Sequence, residues 1–460
     1  MSQKYTSRSI IKLDINIIFR RLCKTAFYFL YALFIALLFL RHYFGVDFPV
    51  AVYLAVIALA SASADKNKLI ALAISCVCFP AVFQYKYAII IIMFAYVFKN
   101  VYDFRYTVKY GKSNYSALVL FAVMAIWEFL HVAVFSQSVS EFFRSFVEIA
   151  FVFMLIVDSR KNFDYPFVAR IVALSSIASC ALILLLQMKY SKYPSIVDYF
   201  AANRFGYGVE QYSNFDAGFN PNGLGLICVV SVCTLLQLTI TGRSKPFDYL
   251  MLVTLLTFSL MTMSRKVVLM YAILFLFAFF YLMNIKKRGA FRSIMYLALI
   301  GLAVWIAYLI LNALLPTVIQ RFVDRFNVED ITNGREDLFG AYNDLIARDL
   351  GVSLFGWGIQ GIDANHLAAG IKSVTHNGIQ EVFVCWGVEG IILFAVYLAM
   401  LVRRSYNFKK NILNFLVLAE VFAFSQFAQS LRSSLVMMFF GIAYLDMCHN
   451  FETAKKPSDR

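Results

Sequence analysis

The sequence predicts an all-α polytopic transmembrane protein, a bundle of about twelve to fourteen membrane-spanning helices with one large, partly helical loop on the non-cytoplasmic side. Three observations carry that prediction. Hydrophobic residues make up 61% of the 460 residues and charged ones only 15%, and the mean hydropathy of +0.71 is too high for a water-soluble chain of this length. The 47 Phe suit acyl chains and the 27 Tyr suit the headgroup belt. The apolar residues also gather into runs that approach the ~20 helical residues, with ~17 tolerated, needed to cross the hydrocarbon.

In chain order, a basic segment with Lys4, Arg8, Lys12, Arg20, Arg21 and Lys24 precedes the first run, 25–40. Arg41-His42-Tyr43-Phe44 stands where a small-residue cleavage site would follow a signal peptide, so a retained first helix is expected. Runs at 48–64, 68–83, 87–98, 117–135, 142–157 and 167–188 complete an N-terminal block, 1–188. An outer loop, 189–218, leads to a central block, 219–315, with runs at 219–240, 247–263, 266–285 and 293–315. The large loop, 316–375, separates it from a C-terminal block, 376–460, with runs at 376–402, 411–428 and 433–447. The runs at 87–98 and 433–447 are short, and re-entrant segments are the alternative there. With the N-terminus placed inside, the cytoplasmic connections carry about twice as many Lys and Arg as the opposite side, so both termini are expected in the cytoplasm.

The formal charge of +15 does not imply a nucleic-acid partner, because the basic residues lie in short connections between apolar runs and not on a soluble patch. Eight cysteines fall mostly inside apolar runs without metal-ligand spacing. Cys76 and Cys78 point roughly 200° apart on a helix and read as buried thiols.

The outer loops are where function is expected, since a connection as long as 316–375 is usually working or disordered, and this one is patterned. Val318, Ile319, Phe322, Val323 and Phe326 recur at helical spacing with Arg321, Asp324 and Arg325 between them, as in a helix lying in the membrane interface. A second helix is predicted from about Gly334 to Leu350. Asn333 would be its N-cap, Glu336 and Asp337 stand in its first turn, and Gly351 would end it. The Gly-rich stretch from Phe355 to Gly361 is not helical in pattern and can bring backbone close to a ligand.

Arg204, Arg265 and Arg335 are the candidate cations. Met263-Ser264-Arg265-Lys266 is almost the whole connection between two runs, which puts Arg265 at the mouth of the bundle, as a headgroup contact or as an anion site. His376, at the entry to a span, feels the positive end of the helix dipole, which favours a neutral imidazole that can accept a proton or simply cap the helix. Asn220 and Pro221 read as N-cap and first residue of another helix. Glu128 with His131, and Arg144 with Glu148, have the spacing to pair on one helix face, the latter as a structural ion pair. No phosphate loop, acyl-transfer triad or carboxylate motif for a metal-bound nucleotide sugar is present. No metal is expected, and a lipid-pyrophosphate donor fits a chain whose cations face the outer surface.

The order Gly218-Phe219-Asn220-Pro221-Asn222, Thr262-Met263-Ser264-Arg265, Gly334-Arg335, Phe355-Gly356-Trp357-Gly358 and Thr375-His376-Asn377, followed by Gly387 and Gly390, resembles the O-antigen polymerase and ligase superfamily across roughly residues 200–400. The resemblance implies metal-independent, nucleotide-independent glycosyl transfer from an undecaprenyl-pyrophosphate-linked oligosaccharide at the periplasmic face of the bacterial inner membrane, with no cofactor. It implies that Arg265 and Arg335 bind pyrophosphate and that His376 activates the acceptor hydroxyl. Arg204, which stands apart from the motif order, and Asn220, Asn222, Trp357 and Asn377 would contact substrate. Expected partners are membrane lipid and a chain-length regulator protein. Length, span number and the patterned outer loop favour a polymerase of O-antigen or a related surface polysaccharide. The alternatives are a ligase acting on lipid A core and a polysaccharide flippase, the latter disfavoured because no repeat relates the two halves.

Overall fold

In the computed structural model every regular element among the described residues is a helix. Those residues are 25–46, 48–79, 85–110, 112–134, 164–190, 193–206, 221–240, 242–284, 290–325, 335–358, 361–372 and 377–404. The helices are α1 (Thr25–Phe44), α2 (Val50–Ser63), α3 (Lys66–Cys78), α4 (Tyr85–Tyr110), α5 (Lys112–Val134), α6 (Tyr165–Tyr190), α7 (Ile196–Ala202) and α8 (Pro221–Ile240). They continue with α9 (Pro246–Met261), α10 (Arg265–Asn284), α11 (Ala290–Leu314), α12 (Pro316–Asp324), α13 (Arg335–Arg348), α14 (Leu350–Leu354), α15 (Gly361–Asn365) and α16 (Gly378–Arg404). Four of the described helices, α1, α6, α8 and α16, are long and apolar enough to cross a membrane. The expected runs at 142–157, 411–428 and 433–447, and the Arg144 and Glu148 pair, lie outside the described residues.

The centre is built where helices can approach closely. Its most enclosed member is α8, 78% buried over its apolar window, against 33% for α1. Lipid supplies no hydrophobic drive between helices, so small and hydroxyl residues hold the contacts. Tyr31 of α1, Ser75 of α3 and Ser175 of α6 form a closed hydroxyl triangle with edges of 3.1, 2.6 and 2.7 Å. On the adjoining face of α6, Ser176 meets Ser231 of α8 at 2.9 Å and Cys180 meets Cys228 at 3.6 Å. The six described cysteines are all free and buried. At one end of this centre, Arg170 of α6 forks onto Asp248 of α9 through two bonds of 2.8 Å and donates to the Arg243 carbonyl at 2.9 Å.

Two expected boundaries are corrected. The run at 87–98 is part of the 26-residue α4, which continues where a cytoplasmic connection was expected. A charge inside it is accommodated because Lys99 Nζ donates to the Ser61 and Ala62 carbonyls at 2.8 and 2.7 Å, capping the end of α2. Gly351 does not end the helix before it. That helix, α13, stops at Arg348, and Asp349 caps α14 by accepting from the Gly351 and Val352 amides at 2.9 and 3.1 Å.

Candidate functional site

The candidate site is assembled on the turn between α9 and α10. A helix end leaves carbonyls without intrahelical donors, and here three consecutive ones find partners from distant segments. The Met261 carbonyl accepts from the Phe205 amide at 3.1 Å, the Thr262 carbonyl from Arg204 Nε at 2.8 Å, and the Met263 carbonyl from Arg325 Nε at 3.1 Å. Met263 takes a positive φ of 48°, the one non-glycine residue to do so among the described residues. A side chain there is strained, and the turn is held by the three bonds and by Thr262 Oγ1, which donates to the Ser259 carbonyl at 2.6 Å. Ser264 donates to Asn222 Oδ1 at 2.8 Å, tying the start of α8 to the same turn.

Arg265 is the first residue of α10, where the helix dipole is positive and a cation is disfavoured. Its Nε donates to the Arg325 carbonyl at 2.9 Å, while Arg325 reaches back to Met263, so the two chains clasp each other. One turn earlier on α12, Arg321 Nη1 donates to the Ala201 carbonyl of α7 at 3.1 Å. Helix α12 forms where the amphipathic pattern predicts, with Val318, Ile319, Phe322 and Val323 half-buried and Gln320 and Asp324 exposed. Three guanidinium groups, of Arg204, Arg265 and Arg325, thus meet at this turn, Arg321 ties α12 to α7 beside it, and the contacts described for the four are to backbone carbonyls. Among the described residues no carboxylate pairs with Arg321 or Arg325. Burial, and then the positive fields of Arg265 and Arg321, pull Arg325 below the usual guanidinium range. Guanidinium stays charged near neutral pH, so Arg265, Arg321 and Arg325 place positive charges within each other's field.

The chain matches no protein-family model and no curated protein.

The structure brings Arg204, Arg265 and Asn222 together at this turn. Asn220 and His376 lie outside the described residues, and for Arg335 only the backbone, which opens α13, is described. Trp357 and Asn377 belong to a second assembly. Asn377 caps α16, its Oδ1 accepting from the Ile379 and Gln380 amides at 2.9 and 3.2 Å. One turn on, Gln380 Nε2 donates to the Phe339 carbonyl and Asn343 Oδ1 of α13 at 3.1 and 2.7 Å, which ties the helix opened by Arg335 to the helix start just after His376.

The Gly-rich stretch brings its backbone to α16. That helix breaks at Gly387, which adopts φ 66° and ψ −159°. The broken turn frees carbonyls, and the Trp357 and Gly358 amides donate to those of Val384 and Cys385 at 2.8 and 2.7 Å. Trp357 is 9% exposed in this joint. Arg321 and Arg325 were visible as the polar side of an amphipathic helix, but their i, i+4 spacing says nothing about which carbonyls they reach. Among the described residues no three His, Cys, Asp or Glu side chains gather as a metal site would need.

Proposed function

We propose that this chain is a polytopic membrane glycosyltransferase of about twelve to fourteen spans that polymerises lipid-linked oligosaccharide repeat units, with the α9–α10 turn at the periplasmic face of a bacterial inner membrane and both termini in the cytoplasm. The observation that carries the reading is the meeting of Arg204, Arg265 and Arg325 at that turn, with Arg321 one turn back on α12, a helix whose amphipathic pattern suits a membrane surface. A polyprenyl-pyrophosphate donor presents an anion at that depth, with its tail among the helices and its sugar above them.

The chemistry follows from the leaving group. As the anomeric carbon–oxygen bond breaks, negative charge accumulates on the departing pyrophosphate, and fixed guanidinium groups stabilise it more than they stabilise the ground state. Arg335, at the head of α13, adds to this field. His376 takes the proton from the attacking sugar hydroxyl, a role typically worth ~10²–10⁴ in rate. The hydroxyl oxygen forms the new glycosidic bond as the pyrophosphate leaves from the opposite side, so the anomeric centre inverts.

The test is reconstitution. Vesicles holding the purified chain and an undecaprenyl-pyrophosphate-linked repeat unit, with no lipid A core, should yield a ladder of longer glycans with inverted linkages. Transfer only when lipid A core is added would indicate a ligase instead. Movement of the lipid-linked unit across the bilayer without chain growth would replace the enzyme with a flippase.

A further inference from the structure

Buried ionisable groups inside a membrane bundle need partners and mark positions that matter. On α5, Glu128 and His131 are 1% and 4% exposed, and both reach across to the joint in α16. Glu128 Oε2 accepts from the indole Nε1 of Trp386 at 2.6 Å, one residue before the break at Gly387. The His131 ring sets Nε2 against the Phe355 carbonyl and Nδ1 against the Trp127 carbonyl, and Trp127 stacks on the Phe355 ring with centroids 6.0 Å apart. The joint is fitted to the backbone: a Cβ on Gly356 would stand 2.5 Å from the Cys385 carbonyl carbon, and one on Gly387 would stand 2.1 Å from the Leu354 oxygen. The first half of α16 is therefore fixed at its end by α5 and the Gly-rich stretch, and at its start by Gln380 on α13.

We infer that Glu128 and His131 are positioning residues: through Trp386 and Phe355, α5 holds the break in α16 so that the helix start at Asn377 keeps its place against α13. The role in transfer rests on the proposed glycosyltransferase reading, because the residue before Asn377 is the proposed base and α13 begins at Arg335. The mechanical coupling does not rest on it. Neither residue touches substrate.

The experiment compares Glu128→Leu, Glu128→Gln and Trp386→Phe in the full detergent-solubilised chain, by amide hydrogen exchange and by transfer kinetics in vesicles. Glu128→Leu should speed exchange of the Trp357 and Gly358 amides and of the first turn of α16 about tenfold, as loss of one buried hydrogen bond does for a local opening. It should lower kcat roughly 10²-fold at unchanged KM for the lipid-linked donor, the cost of moving a reacting group by about 1 Å. Glu128→Gln keeps an acceptor and should restore both. Trp386→Phe deletes the donor alone and decides the matter if Leu at position 128 prevents folding. Unchanged exchange in Glu128→Leu and Trp386→Phe would overturn the coupling, and faster exchange with unchanged kcat would overturn the positioning role. A wild-type chain with no transfer activity, but with exchange still faster in the variants, would overturn the glycosyltransferase reading and support the coupling.

Discussion

The α9–α10 turn and the break in α16 face the same physical problem and solve it with different groups. Each leaves backbone carbonyls that no intrahelical amide reaches, so that donors must come from elsewhere in the fold. At the break, neutral amides of Trp357 and Gly358 fill the need. At the turn, guanidinium groups of Arg204 and Arg325 fill it, and each brings a positive charge that a carbonyl does not neutralise. The first solution makes a joint; the second, on the proposed reading, also makes a place for an anion. On the proposed reading a helix end capped by arginine is at once a structural and a recognition element, and substitution should separate the two.

The largest effect is expected at the joint. Gly387→Ala adds a Cβ at a positive φ and 2.1 Å from a backbone oxygen, a clash that no side-chain rotation relieves. It should destabilise the chain by about 4 kcal/mol or more, read as loss of folded protein or a large drop in Tm in detergent. A normal Tm would mean that α16 runs straight through Gly387.

At the turn the loss should fall on activity instead. Arg325→Ala should lower transfer by about 10²–10³, some 3 kcal/mol, by analogy with deleting one oxyanion donor, while the uncapped Met263 carbonyl costs only ~1 kcal/mol of stability. Arg325→Lys should rescue little, because an ammonium cannot fork between a carbonyl and a phosphate. Equal losses of stability and of transfer would make Arg325 a cap and nothing more.

How much of this was legible in the sequence differs between the two regions for the same reason. Apolar runs placed helices α1 to α3, α5, α6, α8 to α11 and α16 to within a few residues, and four of these, α1, α6, α8 and α16, are long and apolar enough to cross a membrane. The amphipathic α12 and the helix α13 were also legible, from local periodicity and first-turn carboxylates. What the sequence could not yield is who meets whom. Glu128 and Trp386 stand 258 residues apart, and Lys99, which looks like the end of a span, continues α4 because it finds the carbonyls of α2. Arg265 was singled out from its position in a short connection, whereas Arg325 was not, because its partner is the carbonyl of Met263 and carbonyls leave no mark in a sequence.

A middle-sized effect is expected at the end of the bundle away from both regions. Arg170→Met removes the fork from Asp248, which is 2% exposed, and leaves a buried carboxylate with only the Lys245 amide as its described donor. Roughly 3 kcal/mol of stability should be lost. The double variant Arg170→Met with Asp248→Leu, which removes the stranded charge, should recover part of it. No recovery would place the loss in the bond from Arg170 to the Arg243 carbonyl.

The smallest effect is the sharpest test of how the centre is held. Ser231→Ala removes the hydroxyl facing Ser176 between α8 and α6, yet Ser176 keeps its own bond to the Val172 carbonyl at 2.9 Å, so no buried donor is stranded. Interhelical hydrogen bonds of this kind average only ~0.6 kcal/mol in membranes, and a shift in Tm near the limit of detection is expected. Ser231→Leu keeps the helix but forces α6 and α8 apart, at a typical cost of 1–3 kcal/mol for overpacking. If Leu were tolerated as well as Ala, close approach of small residues would not be what holds the two helices. If Ala cost as much as Leu, the hydroxyls would be acting as bonds and not as spacers.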